Sequence, residues 1–449
     1  MNLIEEILKE TPDTKACRLG PGVTNEAAQL FKELFPAATR VIVVDDVNTK
    51  RVAADRVIAL LRDAALDVAE YTICPDGSWF HATYDRVEEV REAIKAAGSP
   101  IPVAVGSGTI NDLVKRASEE LGLRYMVVGT AASMDGYTSS GAAITKDGMK
   151  QTLPCRAPLG ALVDSQVAAE APQEMTASGY ADLLAKIPAG ADWILADAIG
   201  SEPIHALAWR CVQGPLRDSL ANPAGVATGD EREIRKLSEG LIMSAFAMQA
   251  SNTSRPASGT EHQVSHYFDM EDLCFNGQPV SHGFKVGIGT LLSTATIEFL
   301  LEQDLTTLDV EAAVAKWPKT FDELAATFPA VYGNRPDHLK RAMSEMKNKY
   351  STPEKLRAEL SLIKSLWPEL SAKMKAQIMP FAEVKEKLRL VGAPYEPEQI
   401  GVTRARLRES YRGVQYMRNR YFSIDLVSRL GLYDALDERL FGKGGVWEV

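Results

Sequence analysis

The chain has no CxxC pair, and its five cysteines, Cys17, Cys74, Cys155, Cys211 and Cys274, are odd in number and scattered over 449 residues. That excludes a disulfide framework and a thiolate metal knot, and it reads as free thiols in a reducing cytoplasm. Basic residues are also in short supply. With 50 Lys and Arg against 60 Asp and Glu, the net charge is −10. There is no basic stripe for nucleic acid to follow, although a local anion pocket stays open. No segment approaches the roughly 18 uninterrupted apolar residues of a membrane span, so none is expected. The opening MNLIEEILKETPDTKAC carries acids where a secretory signal needs a basic start and a long apolar run. Tandem repeats and low-complexity segments are absent too. What is present, 45% hydrophobic and 24% charged residues, is the composition of a globular protein, long enough for two or three domains.

Over the first 165 residues, short β-branched runs alternate with amphipathic stretches. Arg40–Val44, Val68–Ile73, Pro102–Val105, Arg124–Val128 and Ala161–Val163 read as strands. Val52–Ala65, Arg86–Ala97 and Asn111–Leu121 read as the helices between them. This alternation predicts a parallel sheet covered by helices, which binds ligands at the carboxyl ends of its strands. From about Gln166 the pattern turns to helix after helix. Glu231–Met248, for example, carries Ile234, Leu237, Leu241, Ala245 and Met248 on one face. The expected division is an α/β, Rossmann-like domain over 1–165 and an all-α helical domain over 166–449.

Two small-residue turns follow strands of the first part. Gly106-Ser107-Gly108 opens GSGTINDLVK. There backbone N–H groups and a helix N-terminus can approach a pyrophosphate, although a lone GSG turn can equally just join strand to helix. The run Gly129-Thr-Ala-Ala-Ser-Met-Asp-Gly-Tyr-Thr-Ser-Ser-Gly places hydroxyls and one carboxylate, Asp135, after the next strand. It suits a nicotinamide carboxamide and polyol hydroxyls, or else is a flexible polar loop. Asp45, after the first of these strands, can accept from an adenosine ribose and so favour NAD(H) over NADP(H), unless Lys50 and Arg51 neutralise it; it can also be a solvated turn residue. In the helical part His262, His266 and His282, half of all the histidines, fall within 21 residues. Spacing of four puts His262 and His266 on one helix face, where imidazoles can hold zinc, nickel or iron once a carboxylate joins them, or simply line a packing face.

The stretches GSGTINDLVK, TAASMDGYTSSGAAIT, SGYADLLAK, SGTEHQVSHYFDM and HGFKVGIGT occur in the order and spacing of the iron-containing alcohol dehydrogenase-like superfamily. The chain most resembles its sn-glycerol-1-phosphate dehydrogenase branch. The tail from Val384 resembles the bacterial form, so the similarity runs from about residue 15 to 440. The resemblance implies a dehydroquinate synthase-like fold: a sheet domain that binds NAD or NADP and a helical domain that binds metal and substrate. It also implies one divalent metal, zinc first and nickel or iron next, on Asp182, His262 and His282. Gly106, Ser107, Gly108, Asp112, Thr130, Ser133, Ser139 and Asp45 become the cofactor residues. Asp135 and His266 become catalytic and substrate-binding residues, Asp135 holding a hydroxyl and His266 relaying a proton.

That constellation has its own chemical logic. One aspartate and two neutral histidines leave a divalent ion near +1 with an open position for a carbonyl or alkoxide oxygen, where charge develops during hydride transfer. The implied reaction interconverts dihydroxyacetone phosphate and sn-glycerol 1-phosphate. Alternatives are a dehydrogenase of another polyol or polyol phosphate such as glycerol, a 3-dehydroquinate synthase-like lyase, or a non-catalytic descendant. A phosphorylated substrate calls for nearby cations, with Lys146, Lys150, Lys186, Arg255 and Lys285 the candidates by sequence proximity. Relatives in the superfamily pair through their helical domains, so a homodimer or larger homo-oligomer is implied.

Overall fold

The computed structural model describes residues 3–146 and 149–449, apart from the side chains of Met149 and Lys150. Six parallel strands form the main sheet: β1 (Ala16–Gly20), β2 (Arg40–Asp46), β3 (Asp67–Ile73), β4 (Ile101–Gly106), β5 (Met126–Gly129) and β8 (Gly160–Asp164). Their spatial order is β1-β8-β5-β4-β2-β3. Helices on both faces bury the inner strands, which is why Val41–Val44, Val103–Val105 and Met126–Val128 are continuous apolar runs without alternation. The chain leaves β2 for β3 on one side and resumes at β4 on the other, so the strand order reverses beside the carboxyl ends of β2 and β4.

Five of these strands match the sequence reading. The sixth, β1, does not appear in it, because Ala-Cys-Arg-Leu-Gly has neither alternation nor a β-branched run, and the strand occupies an edge where it pairs with β8 alone. A hairpin of β6 (Ala142–Lys146) and β7 (Met149–Leu153) also follows the small-residue run. The helices that carry the later argument are α1 (Gly108–Glu120), α2 (Gln173–Leu184), α3 (Lys186–Ala198), α4 (Glu231–Ser251), α5 (Thr260–Asp269) and α6 (His282–Leu301).

The expected boundary at residue 165 marks the end of the sheet but not the division of the molecule. One compact unit comprises Met1–Leu183 with Leu207–Ser254, and the other Leu184–Ala206 with Arg255–Val449. Helix α4 goes with the sheet because its apolar stripe packs on β1 and on the helix Ser165–Ala169. Patterning reveals that a helix has a buried face, but not what covers it.

The second unit is built around α6, which is apolar on all sides and packed by α3, α5 and several helices of the tail. Helix α6 is long and apolar enough to cross a membrane by length and composition alone, but Lys285, Glu298 and several hydroxyl residues interrupt it and 89% of its most apolar window is buried within the protein. Asp192 on α3 joins two more elements. Its Oδ2 accepts the N–H and hydroxyl of Thr260 at 2.8 Å each, and its Oδ1 accepts those of Ser423 at 2.7 and 2.5 Å. One buried carboxylate thus satisfies the opening amides of α5 and of the helix Ser423–Arg429. The unit is not wholly helical, since Cys274–Phe275 and Gln278–Pro279 form a two-residue antiparallel ladder.

Candidate active site

In the first unit β4 ends at Gly106, Ser107 is extended, and α1 begins at Gly108. The Ser107 side chain caps no amide of α1; its Oγ meets Ser133 Oγ at 2.6 Å instead. The first-turn N–H groups are therefore left to a ligand or solvent, as an anion site requires. A Cβ at Gly106 would lie 2.5 Å from Ile110 Cδ1, and one at Gly108 would lie 3.2 Å from Met134 Cε. A side chain at Gly106 would therefore collide with Ile110, whereas one at Gly108 would need Met134 to shift by a few tenths of an ångström.

The run from Gly129 is a built structure. Thr130 N–H donates to Gly106 O at 3.2 Å, which ties the two turns together. The Tyr137 ring covers Gly129, where a Cβ would lie 2.9 Å from Cζ. Its hydroxyl sits 2.9 Å from Ala131 O and 3.3 Å from Gly106 O. Burial raises the pKa of that hydroxyl and keeps it a donor. From α1, Lys115 Nζ donates to the carbonyls of Gly136, Ser139 and Gly141 at 3.0–3.1 Å. Asp112 Oδ2 accepts Ala143 N–H at 3.1 Å, and Ser139 Oγ donates to Gly136 O at 3.0 Å. Asp112 and Ser139, expected at the cofactor, thus help to shape the loop. Lys115 and Tyr137 were not singled out from the sequence, although Lys115 stands four residues after Asn111 on the same helix face.

Helix α2 presses directly on this loop. A Cβ at Gly179 would lie 1.9 Å from Ala132 O, so only glycine permits the approach. Ser178 Oγ donates to Ser133 O at 3.3 Å, and Asp135 N–H donates to Asp182 Oδ2 at 3.1 Å. Asp182 is fully buried. Ser244 on α4, another residue absent from the sequence reading, donates to Asp135 Oδ2 at 2.8 Å and fixes that carboxylate. Asp45 ends deeper than expected. It is fully buried, Thr72 donates to its Oδ1 at 2.7 Å, and Lys50 Nζ lies 4.0 Å from Oδ2. Burial, the largest influence, raises its pKa to about 6.

In the second unit α5 and α6 meet so closely that a Cβ at Gly289 would lie 2.3 Å from Glu261 O. This contact brings the rings of His262 and His282 to a centroid distance of 5.5 Å. His262 Nδ1 is 2.9 Å from Glu261 Oε1, and His282 Nδ1 is 3.3 Å from Ser265 Oγ. With both Nδ1 atoms so engaged, Nε2 is the nitrogen each ring would turn to a metal. His266 is on the same helix, with 39% of its side chain exposed and Nδ1 3.8 Å from Asp269 Oδ2. Surrounding protein pushes its pKa down to about 4, helped by the charge of Arg418 and opposed by Asp269. It is neutral near pH 7.

Of the cations suggested by proximity, three are engaged elsewhere and a fourth is buried. Lys146 stands over the Tyr84 ring, and Lys186 is fully buried at the start of α3. Arg255, also buried, donates to Asp192 O and Tyr421 O. Lys285 Nζ lies 2.7 Å from Asp269 Oδ1. The side chain of Lys150 lies outside the described residues. Sequence distance from a motif does not report which side of a helix a lysine takes.

Comparison with known proteins adds to this geometry. A family model described as iron-containing alcohol dehydrogenase matches residues 18–172. The glycerol-1-phosphate dehydrogenase [NAD(P)+] of Bacillus velezensis is 36% identical over 58% of this chain, a stretch spanning 66% of that relative, just under two thirds. The enzyme of the same name from Pyrococcus furiosus is 33% identical over 61% of this chain and 76% of its own length. The crystal structure of glycerol dehydrogenase from Schizosaccharomyces pombe superimposes with a TM-score of 0.58 over 95% of this chain and 90% of that one. At 15% identity, that last likeness is one of fold.

Proposed function

This chain belongs to the iron-containing alcohol dehydrogenase family, in its glycerol-1-phosphate dehydrogenase branch, and we propose that it is a metal-dependent NAD(P)(H) oxidoreductase interconverting dihydroxyacetone phosphate and sn-glycerol 1-phosphate. The observation that carries this reading is the pair of imidazoles, His262 and His282, with Nδ1 of each turned to a hydrogen-bonding partner. Two neutral imidazoles and one carboxylate, that of Asp182, are a donor set for a divalent ion, with zinc the first choice and nickel or iron suited to the same donors. Such an ion would polarise the substrate carbonyl, and bound nicotinamide would supply the hydride.

The chain's own groups do the positioning. Gly106, Gly108 and the first-turn amides of α1 receive the pyrophosphate, and the fixed loop bearing Thr130 and Ser133 receives the nicotinamide end. Asp135, steadied by Ser244, accepts a substrate hydroxyl. His266, neutral and partly open, passes a proton by taking one on one ring nitrogen while releasing that on the other. Free, dispersed cysteines support a cytoplasmic setting, and the chain works as a homodimer or larger homo-oligomer in this reading.

The test is a substrate panel followed by NADH and NADPH absorbance, with dihydroxyacetone phosphate, dihydroxyacetone, glycerol and longer ketose phosphates. Consumption of NADH that depends on dihydroxyacetone phosphate and on metal is expected. Absence of any net change in NADH absorbance with every ketone would overturn the dehydrogenase reading.

A further inference from the structure

Lys115 lies two turns into α1, about 10 Å along the helix axis from Gly108. Its side chain is completely buried. An ammonium has three donors and no acceptor, and here the carbonyls of Gly136, Ser139 and Gly141 lie 3.1, 3.1 and 3.0 Å from Nζ. Asp112 Oδ1, at 3.4 Å, supplies a counter-charge, while its Oδ2 takes Ala143 N–H. Asn111, one turn earlier, acts on the same stretch. Its Nδ2 donates to Gly136 O and Tyr137 O at 3.3 Å each, and its Oδ1 accepts the Tyr125 hydroxyl at 2.9 Å. Gln249 on α4 holds Thr138 O from another direction. The carbonyls of residues 136–139 are thus all received by buried side chains.

A buried ammonium costs desolvation that a methionine of similar length would avoid. What the charge gains in return is a fixed arc, 136–141, whose carbonyls converge on one atom of α1. The arc begins at the residue after Asp135. Asp135 itself is tied through its N–H to Asp182 and through Oδ2 to Ser244. The part of the run before it is held separately, Thr130 N–H by Gly106 O and Ser133 by Ser107. The grip of Lys115 therefore bears first on Asp135. Because Lys115 and the Gly108 turn belong to one helix, the place of that carboxylate is registered to the end of α1 where the first-turn amides lie.

We propose that Lys115 is a positioning residue for the reaction: by holding the arc 136–141 on α1, it sets where Asp135 places the substrate relative to the pyrophosphate turn at the start of the same helix. The inference rests on the proposed function and deepens it by naming a residue that acts on the substrate through Asp135.

Lys115→Met keeps the apolar stem and removes the three donors. With dihydroxyacetone phosphate it should lower kcat/KM about 10- to 100-fold, while the NADH dissociation constant, from fluorescence titration, stays within about threefold of the wild type. A double-mutant cycle with Asp135→Asn separates positioning from general support. Once the carboxylate is gone Lys115 has nothing left to place, so Lys115→Met should cost less than about threefold more in that background. Should Lys115→Met not fold, Asn111→Leu, which removes the donor to Gly136 O and Tyr137 O, goes through the same cycle with the same non-additivity expected. Losses that multiply in the double mutant, an unchanged kcat/KM in Lys115→Met, an Asp135→Asn protein as active as the wild type, or NADH binding that weakens as much as kcat/KM falls would each overturn the inference while leaving the dehydrogenase in place. A wild type without ketone-dependent NADH oxidation overturns the proposed function, and this inference with it.

Discussion

The Glu261 carboxylate lies 2.9 Å from Nδ1 of His262, its neighbour in the chain. Consecutive residues of a helix do not normally face each other, but in the first turn of α5 the Glu261 side chain curls back and also accepts Gly259 N–H at 2.6 Å. A carboxylate behind an imidazole fixes its tautomer and raises its basicity as a ligand.

Glu261→Gln should therefore weaken metal binding about 10- to 100-fold without removing it. Alanine at Asp182, His262 or His282 should abolish both metal and activity with the fold largely kept. Metal analysis and circular dichroism check this, and full occupancy in His282→Ala would contradict the ligand assignment.

Gly179→Ala drives a methyl group into Ala132 O. We expect a loss of about 1–3 kcal/mol in urea denaturation, from overpacking. Cofactor binding should weaken as well, because α2 must retreat from the loop that Asp135 N–H ties to Asp182. Wild-type stability and NADH affinity in this variant would show that the contact is not needed.

His266→Ala should keep the metal and slow turnover by about 100-fold or more. Because the ring titrates near 4, the wild-type kcat/KM profile should show no acid limb at the ordinary histidine value of 6.5. A limb there that vanishes in His266→Ala would mean that the ring works as an imidazolium.

Asp45 links stability to pH. Its carboxyl titrates at about 6 in the fold against an ordinary 3.8, so between those values the folded state holds a proton that the unfolded chain has released. Its unfavourable contribution is absent below about pH 4, grows as pH rises to 6, and is constant above. Asp45→Asn should thus stabilise the protein at pH 8 by about 3 kcal/mol at most, and hardly at all at pH 4. Thermal melts at the two pH values decide it.

The same corner is expected to set cofactor choice. Lys50 is surrounded by Asp45, Asp55 and Glu70, and Arg62 also pairs with Glu70, so these two cations leave one negative charge of the three, which is expected to disfavour a 2′-phosphate. The ratio of kcat/KM for NADH to that for NADPH should be about tenfold or higher, falling in Asp45→Asn. Equal values for the wild type would refute it.

Chemistry-bearing residues were legible where residue type alone carries the information. His262, His266 and His282 stand out as candidates in a chain with six histidines and Asp135 as the one carboxylate of a small-residue run, whereas Asp182 was named only through the resemblance to the family. Five of the six strands of the main sheet were legible for a related reason, since buried parallel strands demand β-branched runs. The supporting residues were not. Lys115, Tyr137, Ser244 and Glu261 are ordinary residues whose value comes from the carbonyl, carboxylate or ring that folding brings to them. Proximity along the chain likewise pointed to Lys285 and Arg255 for an anion, whereas packing turns them to Asp269 and to backbone carbonyls.

The sequence by itself determined the local periodicities, and with them the alternation of strand and helix, the glycines before α1 and the donor atoms available for a metal. Tertiary structure alone decided that α4 joins the sheet, that Gly179 and Gly289 let backbones approach to the limit of contact, and that Asp45 is buried under Thr72. The physical reason is range. Periodicity and propensity act over a few residues, while burial, close approach and pairing depend on segments far apart in the chain, from 27 residues for Asp45 and Thr72 to 109 for Ser244 and Asp135.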